Sequence, residues 1–329
     1  MIIQDVKLFN GQHCETTATG TLLKQVGVEL SEPMLFGLGE GLSFIFWHMK
    51  IMNFPFLGGR IKPDALTENI CQNLNLKLEV EETTSKKKAW EMVQTYIDQG
   101  TAVGLKLDSY HLEYFTNKIH FAGHYVAMFG YDDQYAYLVD TVQQGGTAKT
   151  SLQSLALARS EKGPMSSNNR TYVIRSNGQS YDLAKAVKTA VSRNASEYLN
   201  PPIKNFSYKG ILKTSTEIKK WFKNSQDVKG DFQTTATLME KAGTGGALFR
   251  NLYRDFLKES YELLRLEYLK QAHDEFIAIA DQWTQVSKLF CQTGETQKVR
   301  YINEASDILQ KLSEQERKAM TLLQQGEAS

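Results

Sequence analysis

A single cysteine near the start of the chain lies directly behind a turn signal and at the front of a helical pattern. Asn10-Gly11 is a dipeptide typical of turns, and from Cys14 to Val26 apolar residues recur at the spacing of one helix face, with Gly27 as a suitable stop. Cys14 is therefore expected in the first helical turn, where unpaired backbone N–H groups and the helix dipole stabilise an anion. This position favours a thiolate and makes Cys14 a candidate nucleophile.

The clearest β-hairpin in the sequence runs from His120 to Val142, far downstream of the cysteine. An apolar strand, a turn at Asp132-Asp133-Gln134 and a second strand predict that the two ends of the hairpin lie close together. His124 begins the first strand and Asp140 follows the second, so we expect Asp140 to orient the His124 ring. The chain order of cysteine, histidine and aspartate is that of a papain-like catalytic triad.

A thiol that attacks a carbonyl also needs hydrogen-bond donors for the oxyanion that forms. The backbone N–H of Cys14 and the side-chain amide of Gln12 are the candidates. Each such donor can contribute about 3 kcal/mol to the transition state. Gln12 precedes Cys14 by only two positions, so this role depends on the reach of its side chain.

The three triad candidates also have ordinary structural interpretations. A free cysteine is most often a small buried hydrophobe, a histidine at the start of a strand is often structural, and an aspartate behind a strand often caps a turn. The joint arrangement of turn, helix, hairpin, Cys14, His124 and Asp140 favours catalysis over three separate structural roles.

A metal site competes for the same part of the sequence, since His13, Cys14, His120 and His124 could in principle converge. The predicted strand from Tyr125 sets the two later histidines farther apart than a helix would, and no cysteine pair completes a zinc site. We therefore expect neither a metal nor a cofactor.

Length and composition predict an ordinary globular protein of two domains. The chain has 329 residues with 41% hydrophobic and 23% charged residues, and its net charge of +1 argues against a nucleic-acid partner.

Three distant cysteines (Cys14, Cys71, Cys291) fit free thiols in a reducing compartment, and no signal peptide is recognisable. The most apolar run, 44–57, is too short and too interrupted to cross a membrane. These features predict a cytoplasmic location.

Further candidate substrate contacts lie at three places in the first half of the chain. Gly39 and Glu40 fall within Gly37-Leu38-Gly39-Glu40-Gly41, which lacks the nucleotide-binding glycine patterns and indicates either ligand contact or tight turning beside a strand. Asp108 ends a predicted strand over 101–108 and either faces the site or caps a turn, while His120 precedes the hairpin.

A glycine-rich break in the second half supplies the last candidate. In Gly243-Thr244-Gly245-Gly246-Ala247-Leu248-Phe249-Arg250, backbone N–H groups and Arg250 could bind a carboxylate or phosphate at the start of the next helix. A tight interhelical turn is the alternative.

The predicted fold class is α+β, with a domain boundary near residue 178. Residues 1–178 alternate predicted helices (63–76, 85–99) and strands (101–108, 170–175, and the hairpin), and residues 179–329 have helical periodicity almost throughout. The charged final stretch, 300–325, predicts either an amphipathic arm or pairing with another subunit, so a homo-oligomer is one expectation.

The same segments carry a resemblance to a known family. Five of them resemble the N-terminal domain of butirosin biosynthesis protein H: 11–14, 36–44, 108–110, 120–126 and 130–133. The helical half, with its glycine-rich break at 243–250, resembles the uncharacterised domain that commonly follows.

The resemblance implies a papain-like fold adapted to acyl transfer, in which a helix bearing the cysteine packs on an antiparallel sheet. The named relative moves a γ-glutamyl-protected amino acid from an acyl carrier protein thioester to the amine of an aminoglycoside. When the roles of the family's residues are transferred to this chain, Cys14 would hold the acyl group as a thioester. His124 would shuttle the proton, and Asp140 would orient His124.

The leading hypothesis is accordingly an amide-forming acyltransferase, with an acyl carrier protein or another acyl thioester as donor and a small-molecule amine as acceptor, as in antibiotic biosynthesis. A cysteine peptidase or amidase with the same triad is the first alternative. A non-enzymatic binding module on the same fold is the second.

Overall fold

The computed structural model describes residues 1–49, 52, 54–116, 118–163 and 166–327. The described strands are Leu42–Trp47 (β1), Phe56–Arg60 (β2), Lys77–Glu81 (β3), Val103–Leu107 (β4), His124–Tyr131 (β5), Tyr135–Val139 (β6), Thr147–Ser151 (β7) and Thr171–Arg175 (β8). The described α-helices are Cys14–Gln25 (α1), Glu32–Leu38 (α2), Ala65–Asn73 (α3), Lys86–Asp98 (α4), Leu152–Ser160 (α5), Leu183–Leu199 (α6), Ser207–Asn224 (α7), Val228–Lys241 (α8), Arg250–Leu264 (α9), Glu267–Thr296 (α10) and Val299–Glu327 (α11). The fold is α+β, as predicted.

The chain forms two compact units. One comprises Met1–Leu35 and Pro63–Tyr181, and the other comprises Phe36–Lys62 and Asp182–Ser329.

The first unit is built on a six-stranded antiparallel sheet in the order β3, β8, β4, β5, β6, β7. Val126 and Met128 of β5 belong to a buried cluster with Val93 of α4 and Leu155 of α5. Because side chains alternate along a strand, Ala127 faces the other side of the sheet. Helix α1 contacts β5 and β4 as well. Helices thus cover the sheet that carries the predicted hairpin.

Helix α1 is buried along most of its length. Each residue from Cys14 to Leu23 is buried, which is the environment of a central rather than a surface helix. Gly20 makes this packing possible, because a Cβ there would overlap the ring of Phe9. A helix held this tightly fixes the position of its first residue, Cys14.

The second unit combines the β1–β2 hairpin with the last six described helices. Helix α10 packs against α8, α9 and α11, while α7 packs against α11 and β1. The stretch 300–325 lies within α11 and buries Ile302, Leu309 and Leu323 inside this unit. Among the described residues, no helix has the length and apolar character needed to span a membrane.

The helices and strands predicted in the first half are present: α3 and α4 fall within 63–76 and 85–99, and β4, β5, β6 and β8 lie where strands were expected. Strand β7, helix α5 and the β1–β2 hairpin were not anticipated.

The predicted division into 1–178 and 179–329 differs from the compact units in one segment, Phe36–Lys62, which belongs with the helices. The physical reason is the hairpin's packing. The ring of Phe44 lies 5.5 Å from that of Trp283, and Asn194 Nδ2 donates to the carbonyl of Leu42 at 2.9 Å.

Candidate active site

Cys14 is the first residue of α1 and is about 9% exposed. It is a free thiol, as are Cys71 and Cys291. The first N–H groups of an α-helix have no partner within the helix, so the N–H of Cys14 is placed as an oxyanion donor would need. The predicted position of Cys14 in the first helical turn is confirmed.

A carboxylate holds the segment that leads into α1. Glu32 accepts hydrogen bonds from the backbone N–H groups of Gln12 and His13 at 2.9 and 2.8 Å, and from Thr16 Oγ1 at 2.7 Å. The side chain of Gln12 is exposed. Glu32 was not identified in the sequence, since no local pattern links it to a segment twenty positions earlier.

The hairpin brings His124 and Asp140 together as predicted. Leu107 of β4 is the register partner of His124, and Ala127 pairs with Val139 immediately before Asp140. The His124 Nε2 atom lies 2.8 Å from Asp140 Oδ2, and both residues are buried. This bond engages Nε2 and leaves Nδ1 as the nitrogen that can serve Cys14.

Opposing effects act on the protonation of His124. Burial lowers the pKa of the ring, but the charge and hydrogen bond of Asp140, together with a hydrogen bond to Cys14, raise the pKa to about 10. His124 is therefore an imidazolium at neutral pH. A histidine held beside a cysteine in this way is the pairing that nucleophilic catalysis by cysteine uses.

Asp140 is itself held by two further donors. Tyr114 Oη donates to Oδ2 at 2.7 Å, and the Thr141 N–H donates to Oδ1 at 2.6 Å. Burial raises the pKa of Asp140, but His124 and these donors lower it below its ordinary value. The ring of Phe115 meets that of His124 edge-on at 5.1 Å. Tyr114 and Phe115 were missed because they lie in an irregular loop before the hairpin.

Asp108 and His120 form a separate cluster in the first unit. Asp108 Oδ1 accepts the N–H groups of Tyr110 and Phe121 at 2.9 Å each, and Oδ2 lies 3.0 Å from His120 Nδ1. Asp108 follows Leu107, the register partner of His124. Asp108 thus caps a turn, which is one of the two interpretations of the sequence.

Gly39 and Glu40 lie in the turn after α2, in the second unit. Glu40 is buried with a positive φ of 53°, and its carboxylate is 3.9 Å from Arg193. Neighbouring Gly37 permits close packing, since a Cβ there would overlap the ring of Phe256. This contact supports tight packing as the role of the glycines around Gly39.

Arg250 does not have the role predicted for it. It is fully buried and makes a bidentate ion pair with Glu316 at 2.9 Å, while Nη1 donates to the carbonyls of Leu248 and Gly59 at 2.8 and 3.3 Å. All three guanidinium nitrogens of Arg250 (Nε, Nη1 and Nη2) therefore donate to partners within the second unit. Trp283 Nε1 also donates to Glu316, at 2.6 Å. Arg250 is therefore a core residue rather than a substrate contact.

The glycine-rich break before Arg250 is likewise a structural turn. Ala247, Leu248 and Phe249 have positive φ values of 49°, 48° and 74°, a conformation that L-residues adopt at a cost. The N–H of Ala247 donates to Glu240 Oε2 at 3.2 Å, so a side-chain carboxylate already occupies this donor. The tight-turn interpretation of the segment is supported.

Two family models match the chain. One is described as "Butirosin biosynthesis protein H, N-terminal" and matches residues 13–141, which include Cys14, His124 and Asp140. The other is described as "Domain of unknown function (DUF4872)" and matches residues 153–323. No curated protein matches the chain.

Proposed function

The chain belongs to the family that joins a butirosin biosynthesis protein H N-terminal domain to a DUF4872 domain, and from this membership we propose a cysteine-dependent acyltransferase. The family indicates a biosynthetic enzyme of the papain-like acyltransferase kind. The finer proposal is that Cys14 accepts an acyl group from a thioester and passes it to an amine.

The observation that carries the proposal is the position of the His124 ring. Nε2 is 2.8 Å from the buried Asp140 carboxylate, and Cys14 lies close enough to the ring to contribute to the rise of its pKa. A nucleophile, a base and an orienting carboxylate in this order are the parts that acyl transfer needs.

In the first half-reaction, the Cys14 thiolate attacks the carbonyl carbon of the donor thioester. A carbon–sulfur bond forms to Sγ, and the carbonyl electron pair moves onto oxygen. When the tetrahedral intermediate collapses, the bond to the donor sulfur breaks, and that sulfur leaves with the proton of His124 Nδ1. The products are an acyl group on Cys14, a free donor thiol and a neutral His124.

In the second half-reaction, an amine nitrogen attacks the acyl carbon on Cys14, and His124 Nδ1 accepts the proton that the nitrogen loses. The carbon–sulfur bond to Cys14 then breaks, which releases the amide and restores the thiolate and imidazolium. Asp140 keeps the ring oriented through both steps, and its charge stabilises the imidazolium.

The oxyanion of each tetrahedral intermediate needs donors aimed at it. We assign this role to the Cys14 backbone N–H and the exposed Gln12 side chain. Glu32 supports the assignment, because it binds the Gln12 and His13 backbone N–H groups and thereby fixes the start of the segment.

For the donor we propose an acyl carrier protein or another acyl thioester, and for the acceptor a small-molecule amine. A peptidase or amidase would use the same triad with water as acceptor, so the two activities differ only in what consumes the acyl group on Cys14.

The test is a two-step measurement of intact mass on the full chain. The protein is first acylated with an acyl thioester, separated from excess donor, and then incubated with or without candidate amines. Transfer predicts that an amine accelerates loss of the adduct and yields the corresponding amide. Loss at the same rate in buffer alone, without amide formation, would identify a hydrolase instead.

A further inference from the structure

Three side chains outside the proposed triad converge in the first unit, and we propose that they bind a divalent zinc-type metal ion. They are His111, His120 and Glu161, and their candidate ligand atoms all lie within 4.8 Å of one another. Two imidazoles and one carboxylate are a ligand set that zinc uses with a fourth position left to water.

The distances fit a site that closes on its ion by small side-chain rotations. His111 Nε2 lies 2.6 Å from Glu161 Oε2, so these two groups share a hydrogen bond when no ion is bound. Zinc at roughly 2.0–2.2 Å from each donor would hold the donor atoms about 3.3 Å apart in a tetrahedral arrangement. The ion therefore replaces the shared proton, and the groups move by an ångström or so.

His120 is oriented by two neighbours. Its Nδ1 is 3.0 Å from Asp108 Oδ2, and its ring stacks on Tyr110 with centroids 3.9 Å apart. A carboxylate bonded to Nδ1 keeps the proton on that nitrogen, so Nε2 has the lone pair that a metal needs. A carboxylate, a histidine and a metal in series recur in zinc sites. Asp108 is 2% exposed at its side chain and thus well placed as this support.

An ordinary surface ion pair accounts for only part of this arrangement. The hydrogen bond from His111 lowers the pKa of Glu161, as in any such pair. A surface ion pair does not explain why His120 lies beside His111 and Glu161. It also does not explain why a buried aspartate and an aromatic ring hold His120 in place. Convergence of three ligands with one oriented imidazole is what a metal site requires.

Binding would join three separate parts of the first unit. His111 belongs to the turn after β4, His120 precedes β5, and Glu161 follows α5. The loop between the two histidines also contains Tyr114, which donates to Asp140. The ion is thus placed to stiffen the loop that supports Asp140, as a positioning rather than a catalytic group.

The test titrates the full-length chain with Co²⁺, a spectroscopic substitute for Zn²⁺, in a Cys14→Ser background that removes the reactive thiol as a competing ligand. The expected result is one equivalent of Co²⁺ with the visible absorption of a four- or five-coordinate nitrogen and oxygen site. His120 is 60% exposed at its side chain, so adding His120→Ala leaves the fold intact and removes the absorption. His111→Ala is expected to do the same.

His273→Ala is the matched control, because His273 also sits beside a carboxylate, that of Asp274 at 3.1 Å, but lies in α10. It should leave Co²⁺ binding unchanged. Asp108→Asn should weaken binding by about 10–100-fold, as expected for loss of a supporting carboxylate. Absence of stoichiometric Co²⁺ binding, or equal binding by the His120→Ala and His273→Ala proteins, would overturn the proposal. No acyl donor is used, so neither result bears on acyl transfer.

Discussion

The Nε2 atom of His124 lies 2.8 Å from Oδ2 of Asp140, although the two residues are 16 positions apart. The antiparallel pairing of β5 with β6 brings them to the same end of the hairpin. One bond fixes both the orientation and the protonation of the ring, because it occupies Nε2 and stabilises the imidazolium. The proposed chemistry at Cys14 depends on this pair.

Asp140→Asn should slow alkylation of Cys14 by iodoacetamide at neutral pH. Asp140 is the main cause of the raised pKa of His124, and burial of the ring acts in the opposite direction. When the carboxylate is removed, burial lowers the pKa, and we expect the ring to be neutral near pH 7. Loss of the imidazolium removes the partner of the thiolate, and we expect a fall of about 100-fold or more at pH 7. The measurement is the labelling rate from pH 5 to 10.

Identical rate profiles for the Asp140→Asn and parent proteins would contradict the proposed pairing. Asp132→Asn is the matched control. Asp132 is an exposed carboxylate in the turn of the same hairpin, where it accepts the hydroxyl of Tyr137 at 2.5 Å. Its removal should leave labelling of Cys14 unchanged.

The pair should also stabilise the fold in a limited pH range. The pKa of His124 is about 10 in the folded chain and near 6.5 when unfolded, so its contribution is complete below about pH 6.5 and is lost as pH rises through about 10. The pKa of Asp140 is lowered by folding, so its contribution is lost in acid. We expect the difference in unfolding free energy between parent and Asp140→Asn proteins to be largest in mildly acidic solution, below about pH 6.5 but above the range in which Asp140 takes up its proton.

Urea unfolding at several pH values measures this difference. It should shrink as pH approaches 10 and again in acid. A difference that stays constant from pH 5 to 10 would show that the pair is not titrating as its geometry indicates.

Tyr114→Phe should weaken both stability and labelling of Cys14, although Tyr114 takes no part in bond making. Its hydroxyl donates at 2.7 Å to Oδ2 of Asp140, which is a fully buried residue. Loss of a hydrogen bond to a buried carboxylate costs about 1.5–3 kcal/mol of unfolding free energy. Without this donor the Asp140 carboxylate is less firmly oriented, and so is the His124 ring that it binds. Urea unfolding and the alkylation rate measure the two effects.

Tyr131→Phe is the control, since its hydroxyl makes a similar bond of 2.8 Å to Asp98 at the surface. It should change neither quantity appreciably. Equal effects of the two substitutions would mean that Tyr114 does not support the site.

The hairpin geometry could be predicted because its signals are local. An apolar strand, a turn and a second strand predict an antiparallel hairpin, and the pairing of Ala127 with Val139 brings His124 and Asp140 to the same end of it. The helical pattern behind Asn10-Gly11 likewise places Cys14 at a helix start. Short-range patterns were therefore sufficient to place Cys14 at a helix start and His124 near Asp140, whereas the packing of α1 against β5 is tertiary.

Tertiary packing decided what the sequence left unresolved. Arg250 follows a glycine-rich turn as a ligand-binding arginine would, but its partner Glu316 lies 66 positions away in α11. No residue near Arg250 in the sequence indicates that Glu316 is its partner. Glu32 and Tyr114 were missed for the same reason, because each acts through a bond to a residue from a different element.

Arg250→Met tests the structural role now assigned to Arg250. Removing the guanidinium leaves Glu316 buried without its bidentate partner, which should cost about 3–5 kcal/mol of unfolding free energy. Thermal and urea unfolding of the full chain measure the loss. Joint replacement of Arg250 and Glu316 by apolar residues should recover much of it, because no unpaired charge then remains.

Arg317→Ala is the control, since Arg317 pairs with Glu314 on the exposed side of α11 at 2.8 Å. Exposed pairs contribute little, so its unfolding curve should match that of the parent. If Arg250→Met left stability unchanged, the buried ion pair would not be holding the second unit together.

Acylation of Cys14 itself is the most direct measurement. The full chain, its Cys14→Ala variant and its Cys71→Ala variant are each mixed with an acyl N-acetylcysteamine thioester, and intact masses are recorded with time. Cys71 is the internal control, because burial raises its pKa to about 12 and keeps it protonated. We predict one acyl group on the parent and Cys71→Ala proteins and none on Cys14→Ala. An equal adduct on Cys14→Ala, or no adduct on the parent protein, would contradict a Cys14 thioester as the intermediate.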